Sequence, residues 1–406
     1  IGGNRSPLIV VDEIIYEGRI GDINPNDIKS VEVLKDVSSK AIYGSQASNG
    51  VILITTKSGN LSEKPIIKYS GSISFQNPTV NARLLNREEN LERIKGIYYE
   101  RAYLGPDYTT PNPNFNFRND TELVPNLLDG IDNNVDFDWY GELTSTGKIH
   151  DHILSINGGT QKTTYYISGG YSKNEGFVIN DQYERFTTRI SITNVINNWL
   201  KIGVNASGAF TDFSGLGPGA FYATSPFVTP YDENGELLLY PKGASTTHVN
   251  PLLNVQADHK NKGNQITGNF FGEIKIPQIE GLKYRINYNR SLAWSENSLG
   301  NPYGENLSGS VSKRHYFRSA ETLDNIFSYE NTLENHRFGG TFVYGYKKLN
   351  NDQTEAVGKN VPNIALSYDN LQQALVQEIY SGASKESSLY QMTRFNYSYK
   401  DRYLFT

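Results

Sequence analysis

The residues of this 406-residue chain that could do chemistry are few, and their spacing points away from catalysis. His150 and His152 lie two apart, so on a strand both imidazoles share one face, the beginning of a metal site. No third ligand follows at a recognisable spacing. Asp132, Asp136 and Asp138 could offer oxygen ligands to calcium, but neither the glycine turn nor the twelfth-position glutamate of the helix–loop–helix pattern is present. In Gly215-Leu216-Gly217-Pro218-Gly219 the proline interrupts any phosphate cradle, and no Lys-Ser/Thr leads into a helix. None of the 43 acidic residues is marked by its neighbours as half of a glycoside-cleaving pair. With no cysteine there is no thiol nucleophile, disulfide framework, zinc ribbon or iron–sulfur cluster. The expectation is therefore a protein that is not an enzyme, with no catalytic residue, no metal and no cofactor.

The elements that would position any site fall into two unlike parts. The formal net charge is −5 and there is no basic run, which argues against a nucleic-acid partner. Mean hydropathy is −0.52, and the longest apolar runs, Leu8 to Val11 and Val51 to Ile54, are far too short for a membrane helix. Membrane β-barrels are not excluded by this, because their strands alternate. Up to about residue 60 the pattern is α/β. Pro7 to Asp12 reads as a buried strand, Asn24-Pro25-Asn26-Asp27 as a turn opening a helix, and Val31 to Leu34 and Val51 to Lys57 as further strands. A short helix is expected over Val37 to Tyr43, capped by Asp36 and ended by Gly44, with Asn49-Gly50 turning the chain into the last strand.

From about residue 66 the period is two. Leu200, Ile202, Val204, Ala206, Gly208 and Phe210 form one apolar face, with Lys201, Asn205 and Ser207 between them. Similar segments predict about eleven strands, the first over 66–75 and the last beginning near 402. Every second link is short, as at Gln161-Lys162, Val195 to Asn198, Pro277 to Gly281, Leu333 to Asn335 and Lys400-Asp401. Those between are mostly long: 76–148, 212–263, 296–312 and 348–386. Short turns at one end and long loops at the other is the arrangement of an outer-membrane barrel rather than of a soluble sandwich. Tyr171, Trp199, Trp294 and Tyr346 at strand ends would fit interfacial girdles.

The opening segments carry a resemblance. Pro7 to Asp12, Ile23 to Ile28, Val31 to Asp36, Ala41 to Ser45 and Asn49 to Lys57 occur in the order found in the plug domain of the SusC/RagA family of TonB-dependent outer-membrane transporters of Bacteroidetes. The plug motif residues are Asp12, Asp36, Tyr43, Gly44, Asn49 and Gly50. The similarity continues through Asp138-Trp139, His152 to Gly159, Tyr165 to Tyr171, Arg185 to Arg189 and Asn396 to Tyr403. Glu13 stands where the family usually has Gly, so the hairpin after Asp12 is expected to be altered or strained. Val37, Lys40 and Gln46 also depart from the more usual small or basic residues.

The resemblance implies a mainly β protein, an antiparallel transmembrane β-barrel preceded by part of a small α/β plug domain. Residues 1–60 would be the C-terminal part of the plug. Residues 61–406 would be the N-terminal half of the barrel, eleven of an expected 22 strands, with the long links extracellular. The signal peptide, the TonB box, the first part of the plug and the second half of the barrel are expected outside this sequence. The implied function is TonB-dependent import of a glycan, oligosaccharide or peptide, driven by the TonB-ExbB-ExbD complex, with a SusD-like lipoprotein capturing the ligand. A barrel that wide must be blocked at rest by a plug whose contacts with the wall are polar enough to release. Asp22, Asp27, Lys29, Lys35, Asp36, Lys40 and Lys57 surround the plug strands as candidates for such contacts. Loop aromatics Trp139, Tyr140, Tyr222, Phe227 and Tyr231 are the candidate ligand-binding residues. The alternatives from other classes are an extracellular or cell-surface glycan-binding β protein and a surface adhesin, neither of which accounts for the plug segments.

Overall fold

The computed structural model describes residues 7–34, 47, 49–78, 83–220, 223–244, 248–304, 308–400 and 402–405. The first unit is a four-stranded sheet of β1 (Leu8–Val11), β2 (Ile14–Ile15), β3 (Ile28–Leu34) and β4 (Val51–Thr56), in the order β2-β1-β4-β3. The apolar runs predicted as strands are β1 and β4, and they lie parallel at its centre, Leu8 opposite Val51 and Val11 opposite Ile54. Continuous apolar runs suit central strands, which are buried on both faces. Val10, Ala47 and Val51 form the core, with Leu8, Ile15, Leu34 and Leu53 around them. The β1–β2 hairpin turns on Asp12 and Glu13, with φ of 49° and 72°. Two successive left-handed residues make the tight turn that matches strand twist. Glu13 occupies a conformation that glycine takes without cost, so the expected strain is present.

After the plug unit, β5 (Ser62–Gln76) begins the large sheet, and a two-stranded ribbon, β6 (Tyr103–Leu104) and β7 (Thr110–Pro111), interrupts it. The sheet resumes with β8 (Gly147–Gly159), β9 (Thr163–Glu175), β10 (Gln182–Val195), β11 (Leu200–Asp212) and β12 (Asp258–Lys275). It ends with β13 (Leu282–Asn301), β14 (Ser310–Leu333), β15 (His336–Lys359), β16 (Val376–Tyr399) and β17 (Tyr403–Phe405). These form an 11-stranded sheet in which β5 pairs with β8 and each later strand with the next, all antiparallel. The mainly β class and the strand number match the reading from alternation.

The strand ends differ at one side. Links 296–312 and 348–386 are largely not loops: β13 and β14 stay paired to Asn301 and Ser310, and β15 and β16 to Lys359 and Val376. Alternation misses these ends because both faces turn polar there, as in Asn350 to Glu355. β14, β15 and β16 are 24 residues each, roughly 80 Å of chain at about 3.3 Å per residue. A tilted membrane strand needs only about 9–11 residues.

Along the ladder, neighbouring residues alternate between two environments. One row runs Val204, Phe270, Tyr288, Leu323, Tyr346 and Leu389 across adjacent strands, and Phe270 is 56% exposed. Shifted by one residue, Asn205, Asn269, Asn289 and Thr322 lie opposite one another, and Asn269 is 4% exposed. Exposed apolar outside and buried polar inside is the inverse of a soluble core and the pattern of a lipid-facing wall around a filled lumen. Tyr171 and Trp294 are exposed on the outer face, as is Trp199 beside a short turn. Phe270→Lys is expected to cost about 2–4 kcal/mol. It should reduce the heat-resistant folded band on a gel while Phe270→Leu leaves it unchanged.

Candidate functional site

The four-stranded unit lies against the polar face of the large sheet, and charged pairs join them. Asp12, held by its left-handed turn, accepts from the backbone N–H of Thr56 at 2.9 Å and from the Thr56 hydroxyl at 2.6 Å. Its second oxygen also meets Arg189 Nη2 of β10 at 2.7 Å, and the same nitrogen donates to the Thr56 hydroxyl. Glu17 is bridged from two strands at once: Arg318 of β14 and Lys347 of β15 each donate to one of its oxygens. Glu13 lies 3.8 Å from Arg285 of β13. Further along, Asp27 is buried and accepts from the hydroxyls of Tyr166 at 2.7 Å and Ser168 at 2.8 Å. Asn24 donates to the Thr187 hydroxyl at 3.1 Å, and Arg185 donates to the Gly21 carbonyl. Between the β1–β2 turn and the wall is a cavity of about 40 Å³, lined by Asp12, Glu17, Arg189, Asn269 and Asn289 among others. Both side-chain polar atoms of Asn269 and the Asn289 carbonyl have no protein partner, and the space suits one or two ordered waters.

Of the charges expected around the plug strands, Asp27 lies at the seam. Asp22 accepts from the Arg19 backbone N–H at 3.0 Å. Burial pushes its carboxyl above the usual range, against the pull of that N–H and of the Arg19 and Arg185 charges. Lys57 donates to the Asn26 carbonyl within the plug, and Lys29 is exposed. Lys35, Asp36, Lys40, Tyr43 and Gly44 lie outside the described residues. Asn49 and Gly50 form the turn into β4, where Gly50 takes a φ of 99°. Glu17, Arg189, Arg318 and Lys347 carry the seam without having been singled out by spacing. Their only signal in the sequence is that Arg and Lys fall at inward-facing positions of alternating strands.

The second candidate region is the long link between β5 and β8 packed with the link between β11 and β12. Asn86 caps the helix Arg87–Ile97 by accepting from the Glu89 N–H, while Glu89 accepts from the Asn86 N–H. Arg83 holds Glu89 as well, and these bonds keep its carboxyl down at about 2. Trp139 is 2% exposed, and its indole N–H donates to the carbonyls of Ser225 at 2.9 Å and Val228 at 3.0 Å. Phe227, 1% exposed, packs with Ile94 and Ile131. Trp139 and Phe227 thus hold the two links together as core residues. The Tyr231 hydroxyl donates to Glu142, a bond that with burial pushes its phenol up to about 12. Tyr140 is partly exposed, and Tyr222 lies outside the described residues.

The residues with metal potential have other partners. His152 Nδ1 is 2.8 Å from the Tyr69 hydroxyl. Asp132 pairs with Arg118, Asp136 accepts from the Arg87 N–H, and Asp138 caps the helix Trp139–Leu143. Among the described residues no group of three or more His, Cys, Asp or Glu could hold a metal ion. Gly215 and Gly219 donate to the His259 and Pro251 carbonyls, tying the start of their link to its end and to β12.

Comparison with known proteins agrees with this geometry. The family described as TonB-dependent Receptor Plug Domain matches residues 1–51. Over its full length the chain is 28% identical to TonB-dependent receptor P26 of Formosa agariphila, of which it spans 40%. It is 30% identical over 215 residues to TonB-dependent receptor SusC of Bacteroides thetaiotaomicron, covering 51% of this chain and 19% of that protein. Among solved structures, that of the RagAB peptide transporter superposes with a TM-score of 0.78 at 23% identity, covering 98% of this chain and 48% of the other. The ferric citrate transporter FecA superposes at 0.53 with 8% identity, covering 96% of this chain and 48% of that one. A small α/β sheet docked on the polar face of a long-stranded antiparallel wall defines a plugged outer-membrane β-barrel. Within that class the chain is similar to the SusC/RagA-like TonB-dependent receptors, and it spans less than half the length of these relatives.

Two substitutions test the site. Arg189→Met keeps most of the volume but leaves the Asp12 carboxylate without its cation, at a cost of about 3 kcal/mol. The plug should then become protease-sensitive at lower urea, with Arg189→Lys recovering part of the loss. In the loops, a Cβ added at Gly130 would fall 1.7 Å from the Phe227 carbonyl oxygen. Gly130→Ala is therefore expected to destabilise the loop core by about 1–3 kcal/mol, read as faster cleavage of the loops in limited proteolysis.

Proposed function

We propose that the protein imports a large nutrient, an oligosaccharide, glycan or peptide, across the outer membrane with energy supplied through the TonB-ExbB-ExbD complex. In this reading residues 1–60 belong to the plug and the later residues to the barrel. The long links face the outside and the short turns the periplasm. A TonB box ahead of the plug would receive the pull, and a SusD-like lipoprotein would capture the ligand at the mouth. Tyr140 would offer a ring to it beside a floor built on Trp139, Phe227 and Tyr231, and Tyr222 is proposed as a further contact. One solved neighbour is described as a peptide transporter, which supports a peptide as one class of cargo.

The observation that carries the reading is the seam itself. The plug is held by localised ion pairs and hydroxyl bonds, at Asp12, Glu13, Glu17, Asn24 and Asp27, on a wall whose inner face is polar. Such contacts exchange for water on separation, whereas apolar surface pulled apart would lose roughly 25 cal/mol for every Å² exposed. A purely binding protein would have no use for a releasable obstruction in its own lumen.

A reversible lock tests this. A Cβ at Gly170 would lie 2.3 Å from Asn24 Nδ2 and 3.6 Å from its Cγ, so Asn24→Cys with Gly170→Cys places two sulfurs within bonding reach across the seam. These 406 residues contribute no competing thiol. A deletion strain grown on single oligosaccharides and peptides identifies the nutrient that requires this protein. Growth on that nutrient should stop when the double variant is oxidised and resume on reduction. Undiminished growth with the plug locked would remove gating from the account and leave the glycan-binding alternative.

A further inference from the structure

Away from the seam, the packed loops enclose a cavity of about 410 Å³. One wall is apolar, built from Ile94, Leu127, Phe137 and the Trp139–Phe227 pair. The other presents Arg93, from the helix Arg87–Ile97, and Lys242, from the link between β11 and β12. Among the described residues the lining contains no Asp or Glu. Both cations rest on neutral acceptors: Arg93 Nε and Nη2 donate to Asn90 Oδ1 at 3.1 and 2.9 Å, and Lys242 donates to the Ala223 carbonyl. Carboxylates on the Arg93 helix are engaged elsewhere, Glu89 with Arg83 and Glu92 with Lys95. Burial, and secondarily the Arg93 charge, push the Lys242 ammonium below its usual range. Arg93 is exposed and Lys242 half-buried, and among the described residues neither is paired with a carboxylate, so the two like charges raise each other's energy. An anion between them relieves both and can accept several charge-assisted hydrogen bonds.

We propose that this cavity binds the carboxylate of a terminal ligand residue, whose body lies against Ile94 and Phe137. The volume falls within the usual range for small-molecule pockets, about 300–1,000 Å³, and admits one amino-acid or sugar residue. The carboxylate could belong to a peptide C-terminus or to a uronic acid. The part this site plays in capture rests on the import reading above, but its binding does not, and the test reads binding alone.

The full-length transporter in detergent is pulsed with an amine-acylating ester, and modification of Lys242 is quantified by peptide mass spectrometry against Lys95. The probes are N-acetylphenylalanine beside its amide, and galacturonic acid beside galactose. At least one acid should protect Lys242 while its neutral counterpart binds about tenfold more weakly, the factor for losing one charged hydrogen bond. The acid that protects identifies the source of the carboxylate. Arg93→Gln should weaken that protection by a similar factor, each protection being taken relative to the variant's own unliganded rate, which is expected to fall as Lys242 loses its like-charged neighbour. Equal protection by acid and neutral probe, protection by neither acid, or protection unchanged in Arg93→Gln overturns the proposal. A transporter that fails the plug-lock test yet shows acid-specific protection would retain the site and lose the import reading.

Discussion

The ion pair between Asp12 and Arg189 is where two folding units become one. Asp12 can reach Arg189 only because the left-handed turn aims its carboxylate away from β2, and Thr56 steadies it by two hydrogen bonds. The strength of the attraction depends on the exclusion of water: at 4 Å it falls from about 4 kcal/mol at an effective dielectric of 20 to about 1 kcal/mol in bulk water. Asp12, Glu17 and Arg189 line one small cavity with room for water, so the Asp12–Arg189 pair and the clamp of Glu17 by Arg318 and Lys347 share one solvent environment and depend on each other.

That interdependence explains why the wall is polar on its inner face without being loose. The buried Asn and Ser rows of β10 to β14 would be costly in a closed apolar core. Against a plug that supplies carboxylates and amides they become a surface of exchangeable partners. The ring of outward-facing apolar residues does the opposite work, holding the strands in lipid with no counterpart to exchange.

Much of the fold was legible because its signals are local. Period-two alternation located all eleven strands of the large sheet, and the apolar runs of β1 and β4 identified the centre of the small one. The ends of β13, β15 and β16 were hidden because the rule behind the alternation lapses: beyond the membrane both faces meet water, and stretches such as Asn350 to Glu355 read as loop. The seam was hidden for a different reason. Glu17 and Lys347 are 330 positions apart, and Asp12 and Arg189 are 177 apart. No motif spans such distances. Among the described residues Asp12, Glu13 and Asp27 are marked locally, by the plug motif, the hairpin and a turn, but their partners Arg189, Arg285 and Tyr166 are not visible there. The sequence marks Trp139 and Phe227 as loop aromatics, and packing turns them inward, where they join two links that are far apart in the chain.

The unequal strand lengths shape the mouth of the molecule. From β11, with 13 residues, to β16, with 24, the wall gains 11 residues, roughly 35 Å of contour at about 3.3 Å each. The edge of this wall therefore rises along the sheet, and its tall part carries a cover of its own: the turn Ser367–Gln373 packs against β13, β14 and β15, over a small core of Val311, Val361 and Ala374. The lengthened strands thus serve as a pedestal for one link, while the helical links rest on the shorter strands.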